Sequence, residues 1–227
     1  MAMHLSPSSY DSGMGLCPAQ HTPIENIIPI DRQLSRQAKA CLEQGDYRRA
    51  IELLTRLIEA DPTCANYYHN RGYGYFQEGE VELAIADYSQ AIELNPQLDK
   101  AYNNRANAYA RLGDLYAALL DYDQTLDLNP LNLQAWINRG ITFRQLQIYE
   151  LALDNLDFAL RMGRLEGYIY AERGRTYHLM GDWNWAIADY QRAIDHFQNT
   201  PHLSAVEQRQ HQRVLHWQDQ LLKPLQR

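Results

Sequence analysis

Three prolines, Pro62, Pro96 and Pro130, stand at intervals of 34 residues. Gly45, Gly79, Gly113 and Gly181 fall on a lattice of the same period, with Gln147 at its remaining point. Ala50, Ala84, Ala118, Ala152 and Ala186 fill another slot without exception. A period of this length constrains the fold strongly. One such unit cannot bury an apolar face alone, so neighbours must stack to close a continuous core. Five registers keep phase without an insertion: 31–64, 65–98, 99–132, 133–166 and 167–200.

Within each register the apolar and small residues keep helical spacing. Slot 4 holds Leu34, Tyr68, Tyr102, Trp136 and Tyr170, and slot 11 holds Cys41, Tyr75, Tyr109, Phe143 and Tyr177. Slot 8 is always small: Ala38, Gly72, Ala106, Gly140 and Gly174. A second helix carries slots 20, 24 and 27, as in Ala84, Tyr88 and Ala91. Small residues at slots 8 and 20 let two antiparallel helices approach, and the aromatics fill the space beside them. Glycine at slot 15 suits the turn between the helices. Proline at slot 32 stops the second helix. The fourth register lacks both signals, with Gln147 and Arg164 in their places, so its turn and exit are the least determined.

The run Tyr68-x2-Arg71-Gly72-x2-Tyr75…Ala84-x3-Tyr88…Pro96 resembles the tetratricopeptide repeat family. The resemblance covers residues 31–200 and implies an all-α, right-handed α-solenoid of five helix-turn-helix repeats. A C-terminal capping helix completes it. Val206, Val214, Trp217 and Leu221 at helical spacing place that helix at about 204–223 within a 201–227 tail. Residues 1–30 read as a largely disordered N-terminal extension. Ile24, Ile27, Ile28 and Ile30 form an apolar strap at 24–30.

Composition narrows the function. With 28 acidic against 21 basic side chains the chain carries -7, a poor balance for phosphate-backbone binding. Most of the 16 tyrosines occupy core slots of the repeat. Cys17, Cys41 and Cys64 are odd in number and lack CxxC spacing, so free thiols and a cytoplasmic location are expected. No secretory signal and no membrane-spanning run is read. His211 and His216 lie five apart, which is not metal-pair spacing, and are read as surface residues. Phosphate-loop, HExxH and GxSxG motifs are absent; no catalytic residue, metal or cofactor is expected.

The family usually has leucine at slot 7. Here it is Arg71, Arg105, Arg139 and Arg173, while slot 23 carries Asp87, Asp121, Asn155 and Asp189. Arginine and aspartate co-occur, so Arg71–Asp87, Arg105–Asp121 and Arg173–Asp189 are expected to pair as scaffold. Arg139, facing Asn155, is expected to need another acceptor.

The resemblance implies that the first helices line a concave face that binds extended peptides or partner helices. By the family's pattern slots 2, 5, 6, 9, 12 and 13 point inward. They hold seven cations and two anions, +5, inside registers that total -7. Such a face would focus field on an acidic ligand. The groove residues singled out are Lys39, Asn70, Tyr73, Phe76, Lys100, Asn104, Asn107, Arg111, Asn138, Ile141, Arg144 and Arg175. Asn70, Asn104 and Asn138 recur at slot 6, where an amide can both donate to and accept from a peptide backbone. Tyr73, Phe76, Ile137, Ile141 and Tyr168 would supply apolar pockets.

The expected partner is another protein, recognised through an acidic, partly apolar segment. A terminal-carboxylate clamp of the kind some family members carry is not expected. Its positions read Ser35, Lys39, Asn70, Lys100 and Asn104, and only Asn70 and Lys100 match. A heat-shock co-chaperone role of that type is excluded with it. The alternative is an assembly factor or regulatory subunit that docks through its convex side or its N-terminal strap. Leu151, Phe158 and Trp185 on the outer helices are read first as core. RNA binding through groove arginines is a third, weaker fit.

Overall fold

The structure, a computed structural model, describes residues 30–223 of the 227; the strap read at 24–30 lies outside the described residues but for Ile30. Among the described residues there are eleven helices and no strand, and they form two units. The first, ending at Pro130, holds α1 (Ile30–Gln44), α2 (Tyr47–Ala60), α3 (Ala65–Glu78), α4 (Val81–Leu94), α5 (Asp99–Leu112) and α6 (Leu115–Leu128). The second, from Leu131, holds α7 (Leu133–Gln145), α8 (Tyr149–Arg161), α9 (Glu166–Met180), α10 (Trp183–Asn199) and α11 (Ala205–Leu222). In each unit a helix folds back on the one before it through a two- or three-residue turn, or a short loop, and consecutive helices pack together.

The turns follow from backbone chemistry. Gly79 ends α3 at φ 92°, and its N–H and that of Glu80 return to the Phe76 and Tyr75 carbonyls. Gln147 makes the same turn without glycine. It sits at φ 62°, while Gln147 and Ile148 N–H groups reach the Arg144 and Phe143 carbonyls. Those hydrogen bonds hold the backbone in a region that costs about 1 kcal/mol for a residue with a Cβ. The missing Pro at position 164 is likewise replaced by geometry: Gly163 at φ 65° and Leu165 at φ 57° redirect the chain into α9.

Close packing at slot 8 sets the helix pairing. A Cβ on Gly72 would come within 2.9 Å of the Tyr88 ring, and one on Gly174 within 2.8 Å of the Tyr190 ring. Tyr88, Tyr122 and Tyr190 are fully buried in that space, and each apolar ring contributes about 2 kcal/mol. The Tyr122 hydroxyl donates to Asn107 Oδ1 at 2.7 Å. In unit 2, α11 begins with a capping box between Ser204 and Glu207 and lays Val214, Trp217 and Leu221 on a cluster containing Tyr190, Ile194 and Phe197.

Cys41 is a free thiol, and one expectation is corrected. His211 is not a surface side chain: it packs on Phe197, with a buried Nε2 that finds no hydrogen-bond partner.

Candidate functional site

In unit 1 the helices α3 and α5 bring together polar slots of their registers. On α5, Lys100, Asn104, Asn107 and Arg111 follow one another at spacings of four, three and four, so they share one side of the helix. Arg111 is exposed. Its guanidinium lies 5.1 Å from the Phe76 ring centroid and donates to the Phe76 carbonyl at 3.0 Å, which ties the end of α5 to the end of α3. Asn104 Nδ2 and His69 Nε2 are 3.0 Å apart. Burial pushes the His69 pKa down to about 4, with nearby Lys100 adding to the effect, although a hydrogen bond that the ring donates to Asn70 opposes it. His69 is therefore neutral and fixes Asn104 in place. Lys39 forms a loose pair with Glu43 at 3.8 Å.

Several residues read as ligand contacts have other roles. Asn70 is buried, and Tyr73 packs edge-on against Tyr47, where burial raises its phenol to about 12. In unit 2, Asn138 is buried too. Ile137 and Ile141 line no pocket: both are buried with Leu156, Ala159 and Ile169. Arg144 is 6% exposed and is no groove cation. It donates to the Glu172 carbonyl at 2.9 Å and to Glu172 Oε2 at 2.7 Å, joining α7 to α9. The slot pattern gives the side of the helix; it does not reveal whether the next helix covers that side.

Arg175 remains partly open in unit 2. Its guanidinium lies 5.4 Å from the Trp217 ring centroid and 3.3 Å from His178 Nδ1. His178 Nδ1 is also 3.1 Å from the Tyr190 hydroxyl. Burial and then the Arg175 charge lower the His178 pKa. Arg213 and Trp217, both on α11, belong to the same surface, and sequence reasoning missed them because that helix was read only as a cap. The i, i+4 pairing of arginine with tryptophan was the available signal.

The slot 7 arginines form a separate series. Arg71 donates to both Asp87 oxygens at 2.8 Å and to the Thr55 hydroxyl at 3.2 Å. Arg105 does the same with Asp121 and Ser89. Arg173 is bidentate to Asp189 and also reaches Asp157. Burial disfavours the Arg173 charge, but its hydrogen bonds to Asp189 and Asp157 hold the pKa above the usual guanidinium range. Each guanidinium sits near the slot 4 and slot 11 tyrosines of its own helix. Arg139 stacks over Trp136 and donates to Asn155 Oδ1 at 2.8 Å, so the neutral amide is one of its acceptors.

Leu151, Phe158 and Trp185 are corrected in the opposite sense. They are exposed rather than core, Trp185 most at 57%. Phe158 stacks on Trp136 with ring centroids 4.1 Å apart, and Trp185 lies over Tyr177. Their outer edges remain in solvent, together with Trp183.

No curated protein is matched by the sequence. Family models described as tetratricopeptide repeat match residues 34–64 and 99–132, and one described as TPR repeat matches residues 72–113. Among solved structures, the first TPR of Spaghetti (RPAP3) bound to the HSP90 peptide SRMEEVD is 30% identical. It has a TM-score of 0.50 and covers 52% of this chain and 93% of that chain. The first TPR domain of human RPAP3 is also 30% identical at TM-score 0.50, covering 52% and 92%. Pseudomonas aeruginosa pilF is 18% identical at TM-score 0.69 over 86% of this chain and 84% of its own, a likeness of fold. The chain belongs to the tetratricopeptide repeat family, whose members are generally non-catalytic protein-interaction modules.

Proposed function

We propose that the chain binds an acidic, partly apolar segment of another protein, and that unit 1 supplies the recognition surface through α5 and its neighbours. The observation that carries this is the α5 row: two cations, Lys100 and Arg111, bracket two amides, Asn104 and Asn107, on one side of a helix. The amides suit a peptide backbone and the cations suit its carboxylates. Phe76, held under Arg111, offers an apolar contact between them. The acidic peptide SRMEEVD in the RPAP3 complex supports the same ligand chemistry. Since Ser35, Lys39 and Asn104 depart from the carboxylate clamp, recognition here depends on side-chain acids along the segment.

The test is a binding titration with fluorescein-labelled SRMEEVD, read by anisotropy. Lys100→Gln with Arg111→Gln should weaken binding about tenfold, as loss of two charge-assisted contacts implies. Unchanged affinity in a folded double variant would falsify the reading. A second reading, docking through the outer helices of unit 2, is favoured by the exposed Leu151, Phe158, Trp183 and Trp185. Trp185→Ser would then abolish partner capture while leaving peptide titration intact.

A further inference from the structure

Three arginines from three different helices meet around a single carboxylate in unit 2. Arg144 of α7 and Arg213 of α11 both address Glu172 of α9, at 2.7 Å and 3.8 Å. Arg175 of α9 joins them through the Trp217 ring, which has the Arg213 guanidinium 4.7 Å and the Arg175 guanidinium 5.4 Å from its centroid. Arg144 takes Glu172 Oε2 and the Glu172 carbonyl, which leaves Oε1 to a loose pair with Arg213. The cluster therefore holds an excess of positive charge, and Arg213 and Arg175 supply it at the open edge. Arg213 is 39% exposed and Trp217 is partly buried.

Among the described residues of α9, α10 and α11, most other carboxylates are engaged elsewhere. Asp189 takes Arg173 and Arg192, Glu207 takes Ser204, and Asp219 takes Lys223. Asp195 takes Gln191, while Glu166 and Asp182 stand at the starts of α9 and α10. Stacking on the indole uses the guanidinium face and leaves the N–H groups in the plane; one of them in Arg213 donates to Gln210 at 2.9 Å and one in Arg175 lies 3.3 Å from His178, and the remaining donors suit an anion. Desolvation by Trp217 and Tyr190 strengthens such a contact.

We propose that α11 is a ligand-binding element as well as a cap, and that Arg175, Arg213 and Trp217 accept a carboxylate side chain of an acidic peptide. This rests on the peptide reading above and adds a second subsite, in unit 2, that the family pattern does not assign.

The probe is again SRMEEVD, beside a control of the same peptide with its acids replaced by amides and its C-terminus amidated. Tryptophan indole N–H resonances are followed by NMR, and Trp217→Phe identifies the relevant one. The acidic peptide is expected to move the Trp217 resonance, and the control to leave it in place. Arg175→Gln with Arg213→Gln should remove the shift and weaken binding about tenfold. A Trp217 signal that ignores the acidic peptide in the wild-type protein, or moves equally with the control, overturns the proposal whether or not the double variant folds. Failure of the probe to bind at all overturns it too. The two readings fail separately: independence from Lys100 and Arg111 sinks the first, and an unmoved Trp217 indole sinks this one.

Discussion

At the scale of single residues, two positions show the structure solving a problem that the sequence left open. Gln147 adopts the left-handed turn that glycine makes elsewhere in the repeat. Its Cβ strain is removable, so Gln147→Gly should stabilise the protein by about 0.5 kcal/mol, the left-handed relief outweighing glycine's greater unfolded-state entropy. Thermal unfolding with a lower midpoint would contradict this. Asn155 raises the second point. An amide oxygen accepts from Arg139 at 2.8 Å, so slot 23 accommodates a neutral acceptor where the other registers carry a carboxylate. Asp121→Asn should therefore be tolerated. Asp121→Leu, which leaves Arg105 half-buried with its main acceptor gone, should cost about 2 kcal/mol or more. Urea denaturation of the two variants decides it, and equal losses would mean that charge was the operative term.

At the scale of helices, the link between α3 and α5 carries a pH prediction. His69 has a folded pKa near 4 because burial disfavours its charge, against about 6.5 in the unfolded chain. Between those values the unfolded state binds the extra proton, so stability falls as pH drops from 6.5 to 4 and is unaffected above 6.5. The slope from this one group is at most about 1.4 kcal/mol per pH unit. His69→Gln, which retains an acceptor for Asn104, should flatten it in urea melts at pH 7 and pH 5. The helices themselves were legible in the sequence: α3 and α4 fall where the slots of Tyr68, Gly72, Ala84 and Tyr88 put them. Half-coverage was not. Ile141 and Arg144 have inward slots, yet neighbouring helices bury them; Phe158 and Trp185 look like core by composition, yet stack edge-out on other rings. Periodicity reports direction from one helix axis, while burial depends on side chains contributed by the next helix. The role of α11 was hidden for the same reason, since Arg213 and Trp217 gain meaning only beside Arg175.

At the scale of the whole chain, the net charge of -7 and the proposed ligand have the same sign. Binding must then depend on local charge, and salt discriminates between local and global control. At about 0.15 M salt the screening length is about 8 Å, so a peptide on α5 responds to Lys100 and Arg111 while most distant carboxylates are screened. Raising salt to about 0.5 M screens the near cations as well, and affinity for SRMEEVD should fall severalfold. The dependence should be shallower for Lys100→Gln with Arg111→Gln, because fewer favourable charges remain to screen. If the acidic body governed instead, added salt would relieve repulsion and tighten binding. The sign of the slope, measured by anisotropy on the wild-type protein and the double variant, separates a basic face acting at short range from an acidic molecule acting at long range.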